Sequence, residues 1–171
     1  KVYDMSCPDS RYECMHNNSV NYLNRVVAAV KEVDPDLLVS ESVFSYKSVG
    51  ADPNKNYGIL PVPWENEDPR VPLSLKSMAD SNIDYLDFHF YPMYVQREKW
   101  QDEFWQHLES SGFHLVQDIL KKKPIFLGEY GVFDFVTEDP LEAGRLLSDL
   151  RDYSRSLGFR GWALWTFDCE E

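Results

Sequence analysis

The spacing of hydrophobic positions alternates along the chain between a helical period and short continuous runs, and this alternation predicts helices and strands in turn. Helical patterns occupy residues 17–34, 73–80, 98–122 and 139–158. Short apolar runs typical of buried strands occupy residues 37–44, 83–91, 125–130 and 161–167. Because helix and strand alternate regularly, we expect an α/β fold with a parallel sheet and crossover helices. We also expect a single domain over residues 1–171, a length sufficient for one proper core.

Capping residues and prolines set the predicted helix ends. Residues 1–16 look like a loop, and a cap at Asn18 or Ser19 would begin the first helix. The third helix is expected to break near Gly112, and Asp139 followed by Pro140 predicts the start of the fourth. The buried stripe of that fourth helix is expected to consist of Leu141, Leu147, Leu150 and Leu157.

The charge balance excludes some classes of partner. Acidic residues outnumber basic ones by 29 to 17, and the formal net charge is −12. This balance argues against a nucleic-acid backbone or an anionic membrane surface. No apolar run approaches the length of a membrane-spanning helix. Aromatic residues reach 15% of the chain, which suits either a core or a cleft that stacks on flat ligand faces.

Three cysteines bear on compartment and metal binding: Cys7, Cys14 and Cys169. Cys7 and Cys14 are close enough in sequence for a local disulfide, which would suit an oxidising compartment. Three cysteines without a matching histidine spacing do not indicate a zinc site. The compartment stays open, with a secreted or periplasmic location favoured.

The run over residues 125–130 ends on an acidic residue, Glu129, between two glycines. By strand alternation Glu129 would share a face with Ile125 and Leu127. Burying a carboxylate at the end of a strand destabilises the fold unless the carboxylate is paired or has a function. Barrel α/β enzymes place their catalytic groups at the carboxyl ends of the strands. Glu129 is therefore either catalytic or part of a structural ion pair.

Two other stretches are candidates for a binding site. Along the preceding strand, Asp87, His89 and Tyr91 lie on one face by alternation. The segment of residues 45–72 is rich in Pro, Asn and Gly, with Trp64 in its middle. Connections of this length are usually functional or mobile.

The ends of three predicted strands form an ordered set, namely Phe88-His89-Phe90-Tyr91-Pro92, Gly128-Glu129-Tyr130-Gly131 and Trp162-Ala163-Leu164-Trp165-Thr166-Phe167. In this order and at these spacings the set resembles the last four strands of clan A glycoside hydrolases. The closest likeness is to family 5, the cellulase and mannanase family. The resemblance implies the carboxyl-terminal half of a TIM (β/α)₈ barrel, strands five to eight. It also implies a retaining glycoside hydrolase acting on β-linked glucan or mannan, with no metal or organic cofactor.

The resemblance assigns roles to matching residues. Glu129 matches the nucleophile at the end of the seventh strand, and His89 and Tyr91 match the sixth-strand pair beside it. Trp165 matches the eighth-strand tryptophan under the sugar at the cleavage point. Glu41, at the end of the fifth strand, is expected to be a cleft or ion-pair residue rather than the acid/base. Trp64 either contacts a distal sugar or packs within its own loop.

One part of the family pattern is missing. The acid/base glutamate follows an asparagine at the end of the fourth strand, which by this alignment would lie before Lys1. We therefore expect a fragment of a longer enzyme, with carbohydrate as substrate and the missing amino-terminal half-barrel as partner. The alternative is a non-catalytic carbohydrate-binding half-barrel or pseudoenzyme. A third hypothesis is an open-sheet α/β protein of unrelated function.

Overall fold

The computed structural model describes residues 2–4, 7–43, 51–52, 58–59 and 74–165. Four α-helices lie in this part of the chain: α1 (Pro8–Val33), α2 (Leu75–Asp80), α3 (Arg97–Ser110) and α4 (Pro140–Ser156). The strands are β1 (Ser42–Val43), β2 (Ala51–Asp52), β3 (Gly58–Ile59), β4 (Leu86–Phe90), β5 (Ile125–Tyr130) and β6 (Gly161–Leu164). None of the helices in the described ranges is long and apolar enough to cross a membrane.

Four of the strands form one parallel sheet in the order β1-β4-β5-β6. Helices α2, α3 and α4 fall between successive strands of this sheet, so the predicted α/β class with crossover helices is confirmed. The short strands β2 and β3 form a separate antiparallel pair.

Aromatic side chains fix one face of the sheet against the helices. The rings of Phe88 and Phe90 on β4 meet Phe104 of α3 edge to face, with centroids 5.7 and 4.9 Å apart. All three are fully buried, and burying such a side chain stabilises a fold by roughly 1.5–3 kcal/mol. Because side chains alternate along β4, Asp87 and His89 are left on the opposite face. The core thus orients the polar residues of β4 away from the helices.

Helix α1 begins much earlier than expected. Residues 1–16 were expected to form a loop, but α1 starts at Pro8, with proline in its first turn and Asp9 as an acidic first-turn residue. Both features favour a helix start, since proline lacks only a donor that is unpaired there anyway. The helix is anchored further along by Leu23 and Val27, which are buried.

The expected local disulfide is absent, because Cys7 and Cys14 are both free. Cys7 caps the start of α1 and Cys14 lies within it. Seven residues of helix span roughly 10 Å, beyond the 4.4–6.8 Å between Cα atoms that a disulfide needs. Cys169 lies outside the described residues.

Strand β1 is shorter than the predicted run of residues 37–44. Leu37 and Leu38 are more than half exposed, and the described ladder covers Ser42 and Val43 alone. Upstream of the ladder, the Asp84 carboxylate accepts a hydrogen bond from the Val39 N–H at 2.7 Å. The Val39 carbonyl in turn accepts a hydrogen bond from the Asp84 N–H at 2.8 Å, so Asp84 holds Val39 through both its backbone and its side chain.

In the later helices the predicted ends agree with the structure more closely than the predicted buried residues do. Helix α3 breaks at Gly112, whose φ of +86° favours glycine, and short 3₁₀ turns follow. Asp139 caps α4 by accepting a hydrogen bond from Leu141 N–H at 2.9 Å. Leu141 was expected in the buried stripe but is exposed, while Leu146 is buried. A residue in the first turn of α4 lies beyond the edge of the core.

Candidate functional site

A network of polar side chains lies on the face of the sheet opposite the helices. The Tyr91 hydroxyl donates a hydrogen bond to Glu129 Oε2 at 2.9 Å. His89 Nδ1 lies 3.2 Å from the same oxygen, and His89 Nε2 lies 3.6 Å from Asp87 Oδ2. Ser42 Oγ donates to Asp87 Oδ2 at 3.1 Å. We call Ser42, Asp87, His89, Tyr91 and Glu129 the polar network.

A bulge in β5 places Glu129 in this network. Leu127 pairs with Phe88 and Glu129 pairs with His89, so Gly128 is the extra residue between them. Paired residues on parallel strands point to the same side, and Glu129 therefore shares the face of His89. The expectation that Glu129 shares a face with Ile125 and Leu127 is wrong, because strict alternation fails at Gly128.

Gly128 is required at the bulge for a steric reason. A Cβ atom added there would overlap Oδ1, Oδ2 and Cγ of Asp87. Gly131, two residues beyond Glu129, is constrained in the same way by the Trp165 carbonyl oxygen. The glycines on both sides of Glu129 thus allow neighbouring strands to bring their groups close to it.

Ser42 was not predicted as a site residue, and Asp87 was placed on the face of a candidate stretch without a role of its own. Ser42 is in register with Asp87 across the β1–β4 pair. Asp87 does fall in the alternating set with His89 and Tyr91, which was the signal for it in the sequence. For Ser42 no comparable signal exists, since its role depends on strand register.

The electrostatics of the network favour Tyr91 as a hydrogen-bond donor. Burial, then the hydrogen bond to Glu129 and the charge of that carboxylate, raise the pKa of Tyr91 far above its ordinary value. The Tyr91 hydroxyl therefore stays protonated and donates a hydrogen bond to Glu129. His89 is 6% exposed and the Glu129 side chain 25%, so the pair lies at the edge between the core and an open surface.

Replacing Tyr91 by phenylalanine is expected to lower the free energy of unfolding by about 1–1.5 kcal/mol. This is near the lower bound for a hydrogen bond to a charged group, because Glu129 is partly exposed. The raised pKa means that this contribution is fully present below pH ~10, the unfolded value, and shrinks as the pH rises above it. Urea unfolding of the wild type and Tyr91→Phe across this range measures the difference.

Tyr22→Phe is the matched control for this prediction, since Tyr22 lies on α1 and is 62% exposed. It should leave the free energy of unfolding unchanged at every pH. A Tyr91→Phe difference that stayed constant from neutral pH to well above pH ~10 would contradict the proposed coupling to Glu129.

The structure brings some of the other predicted site residues to the network and leaves others apart. Trp165 is 59% exposed, and its N–H donates to the Tyr130 carbonyl at 2.9 Å, one residue beyond Glu129. Glu41 is exposed and precedes the network residue Ser42 without joining the network. Trp64 lies outside the described residues. Among the described residues no cluster of three or more His, Cys, Asp or Glu could hold a metal ion.

An aromatic stack continues from the network toward the surface. The rings of Tyr91 and Phe133 stack with centroids 5.1 Å apart, and Phe133 stacks on Phe135 at the same distance. Phe135 is 71% exposed. These two phenylalanines follow β5 and were not predicted as site residues, although both stand within six residues of Glu129 in the sequence.

At the sequence level the chain matches no protein-family model and no curated protein. Among solved structures it is similar to the hyperthermostable endo-1,4-beta-D-mannanase from Thermotoga petrophila RKU-1 with maltose and glycerol. The two share 22% sequence identity with a TM-score of 0.48. The likeness covers 97% of this chain and 43% of the mannanase chain, so this chain spans less than half of that length. The function must therefore be inferred from the residues and geometry of the chain itself.

Proposed function

We propose that this chain belongs to a retaining glycoside hydrolase that cleaves β-linked glucan or mannan, with Glu129 as the nucleophile. The observation that carries the proposal is the convergence of two groups on one oxygen of Glu129 at the end of a parallel strand. Tyr91 donates to Oε2 at 2.9 Å and His89 Nδ1 lies 3.2 Å from it. The hydrogen bond from Tyr91 and the adjacent imidazole fix the orientation of the carboxylate, and a nucleophile that attacks one carbon needs a fixed orientation.

The same geometry leaves the second oxygen for the reaction. Among the described residues, both contacts to the Glu129 carboxylate reach Oε2, and none reaches Oε1. In the proposed step Oε1 attacks the anomeric carbon, the bond to the leaving oxygen breaks, and a glycosyl ester forms. Water then hydrolyses the ester with retention of configuration.

The leaving oxygen needs a proton from a second carboxyl group, about 5 Å from the nucleophile in retaining enzymes. Asp87 is a poor candidate, because its Oδ1 is buried and its Oδ2 faces Ser42 and His89. The family resemblance places this acid at the end of the strand before β1. We propose that it comes from outside residues 1–171.

The order of the sheet supports a half-barrel as the setting of this site. Successive strands β1, β4, β5 and β6 each lie beside the one before, and the order never reverses. A reversal is the mark of doubly wound sheets, whereas barrels add each strand on the same side. We propose that the strands of an amino-terminal half pair with the outer edges of β1 and β6.

A second candidate function is carbohydrate binding without turnover. Exposed aromatic rings near Glu129 favour it, since Trp165 and Phe135 offer apolar faces of the kind that pack on pyranose rings. This candidate needs neither an ionised Glu129 nor an acid, and so predicts binding without covalent chemistry.

The two candidates are separated by a 2-fluoro-glycoside with an activated leaving group, which traps a glycosyl-enzyme. Because such a leaving group needs little acid assistance, the reagent tests Glu129 without the second carboxyl. We expect the intact mass to rise by one 2-fluoro-glycosyl group, with the label on the peptide that contains Glu129.

Gluco- and manno-configured reagents, run in parallel, report which sugar the site accepts. A folded chain that takes no label from either reagent overturns Glu129 as a working nucleophile in this chain. If that chain is still retarded in gels containing soluble glucan or mannan, the binding function replaces the hydrolase.

A further inference from the structure

We infer that Asp87 is a positioning residue, which holds His89 so that the imidazole in turn holds Glu129. The inference rests on the proposed function, because it concerns the same carboxylate. The polar contacts of Asp87 in the described part of the chain are with Ser42 and His89, so it acts on Glu129 through His89.

The first step is the placement of His89 between two carboxylates. Nε2 lies 3.6 Å from Asp87 Oδ2 and Nδ1 lies 3.2 Å from Glu129 Oε2. Each ring nitrogen thus faces a carboxylate oxygen at ion-pair distance. The two carboxylates hold the ring from opposite sides and fix its orientation.

The second step is that Asp87 is itself fixed. Its Oδ2 accepts a hydrogen bond from Ser42 Oγ at 3.1 Å, across the β1–β4 pair. Its side chain is 15% exposed, and Oδ1 is buried with no hydrogen-bond partner among the described residues. A buried carboxylate oxygen without a donor is costly. The cost is explained if the charge of Asp87 serves His89 rather than satisfying its own hydrogen bonds.

The third step is that the backbone of β5 makes room for Asp87. The absence of a side chain at Gly128 leaves the space that the Asp87 carboxylate fills. The same residue is the bulge that brings Glu129 into register with His89. One glycine therefore accommodates the positioning carboxylate and directs the nucleophile toward the ring that this carboxylate holds.

The test compares Asp87→Asn with the wild-type chain by two independent measurements. The first is the rate of covalent labelling by the 2-fluoro-glycoside. We expect it to fall by about 10- to 100-fold, by analogy with the loss caused by removing the carboxylate that orients a metal-binding histidine. The second is the ¹⁵N NMR signature of the His89 ring in the unlabelled protein. We expect the ring signals of His89 to shift in Asp87→Asn, because the charge beside Nε2 is lost, and a merely structural role for Asp87 would not cause this shift.

Asp84→Asn is the matched control, since it makes the same change three residues upstream. Asp84 contacts the Val39 N–H at 2.7 Å and Lys31 Nζ at 3.1 Å, away from the network. We expect it to alter stability while leaving the labelling rate and the His89 signals as in the wild type.

If Asp87→Asn does not fold, Ser42→Ala tests the inference instead. This change removes the hydrogen bond to Asp87 Oδ2 and keeps the charge of Asp87. It should slow labelling and move the His89 signals in the same direction. A folded Asp87→Asn or Ser42→Ala with an unchanged labelling rate and unchanged His89 signals overturns the inference. If the wild type takes no label but the His89 signals respond to Asp87→Asn, the nucleophile proposal fails and the positioning role stands.

Discussion

Replacing Glu129 by alanine is expected to reduce the release of dinitrophenol from a 2,4-dinitrophenyl β-glycoside by on the order of 10⁴- to 10⁶-fold, the range seen when members of a covalent catalytic unit are removed. The reason is that the glycosyl ester cannot form without the attacking oxygen. The leaving group departs without help from an acid, so the measurement isolates the nucleophile.

Adding sodium azide to the Glu129→Ala variant tests whether Glu129 is the nucleophile or the acid/base. With alanine at position 129, azide can occupy the space of the carboxylate and attack the anomeric carbon from the same face. A carbon–nitrogen bond then forms as dinitrophenolate leaves, and a β-glycoside gives the α-glycosyl azide. An azide of the β configuration would instead identify Glu129 as the acid/base, and the proposed role would be wrong.

Glu109→Gln serves as the control for both measurements. Glu109 lies in the last turn of α3 and pairs with the exposed His114 at 2.9 Å, away from the polar network. It should leave dinitrophenol release unchanged and give no dependence on azide. If it lowered the rate as far as the change at Glu129, general loss of carboxylate charge would explain both results.

How far the sequence predicts this site is best seen along β5. The apolar run and its acidic end located the strand, and the structure places it at Ile125–Tyr130 as predicted. The face of Glu129 was predicted wrongly, because periodicity assumes an unbroken ladder. The bulge lies at Gly128, beside Asp87, a residue 41 positions away in the sequence, and the pattern of one strand alone does not reveal this packing.

The same distinction between local and distant causes explains the other differences. Pro8 and Asp9 are local signals for the start of α1, and both stand in the sequence itself. The pairing of Ser42 with Asp87 depends on strand register, which the sequence did not indicate. Leu37 and Leu38 have the composition of a buried strand and yet are exposed, and they lie ahead of the parallel ladder with β4, which covers Ser42 and Val43.

Replacing Gly128 by alanine is expected to lower the stability of the sheet markedly. The new Cβ would overlap both the Cγ and the oxygens of Asp87, so turning the carboxylate about its own bond would not relieve the overlap. Either Asp87 leaves Ser42 and His89, or β5 shifts away from β4. Forcing extra volume into a packed site costs about 1–3 kcal/mol, which urea unfolding would measure. Covalent labelling at Glu129 should slow at the same time, because its register with His89 depends on this bulge.

Gly144→Ala and a double-mutant cycle show whether the cause is the overlap with Asp87. Gly144 lies in α4 with open space around its missing side chain, so the same methyl group should be neutral there or stabilise the helix by up to about 1 kcal/mol. In an Asp87→Ala background the overlapping carboxylate is gone, and Gly128→Ala should cost less than in the wild type by about 1 kcal/mol or more. Equal costs in the two backgrounds would mean that Gly128 serves the backbone conformation of the bulge alone. In that case the close packing of Asp87 against Gly128 would not be the cause of the position of Glu129 beside His89.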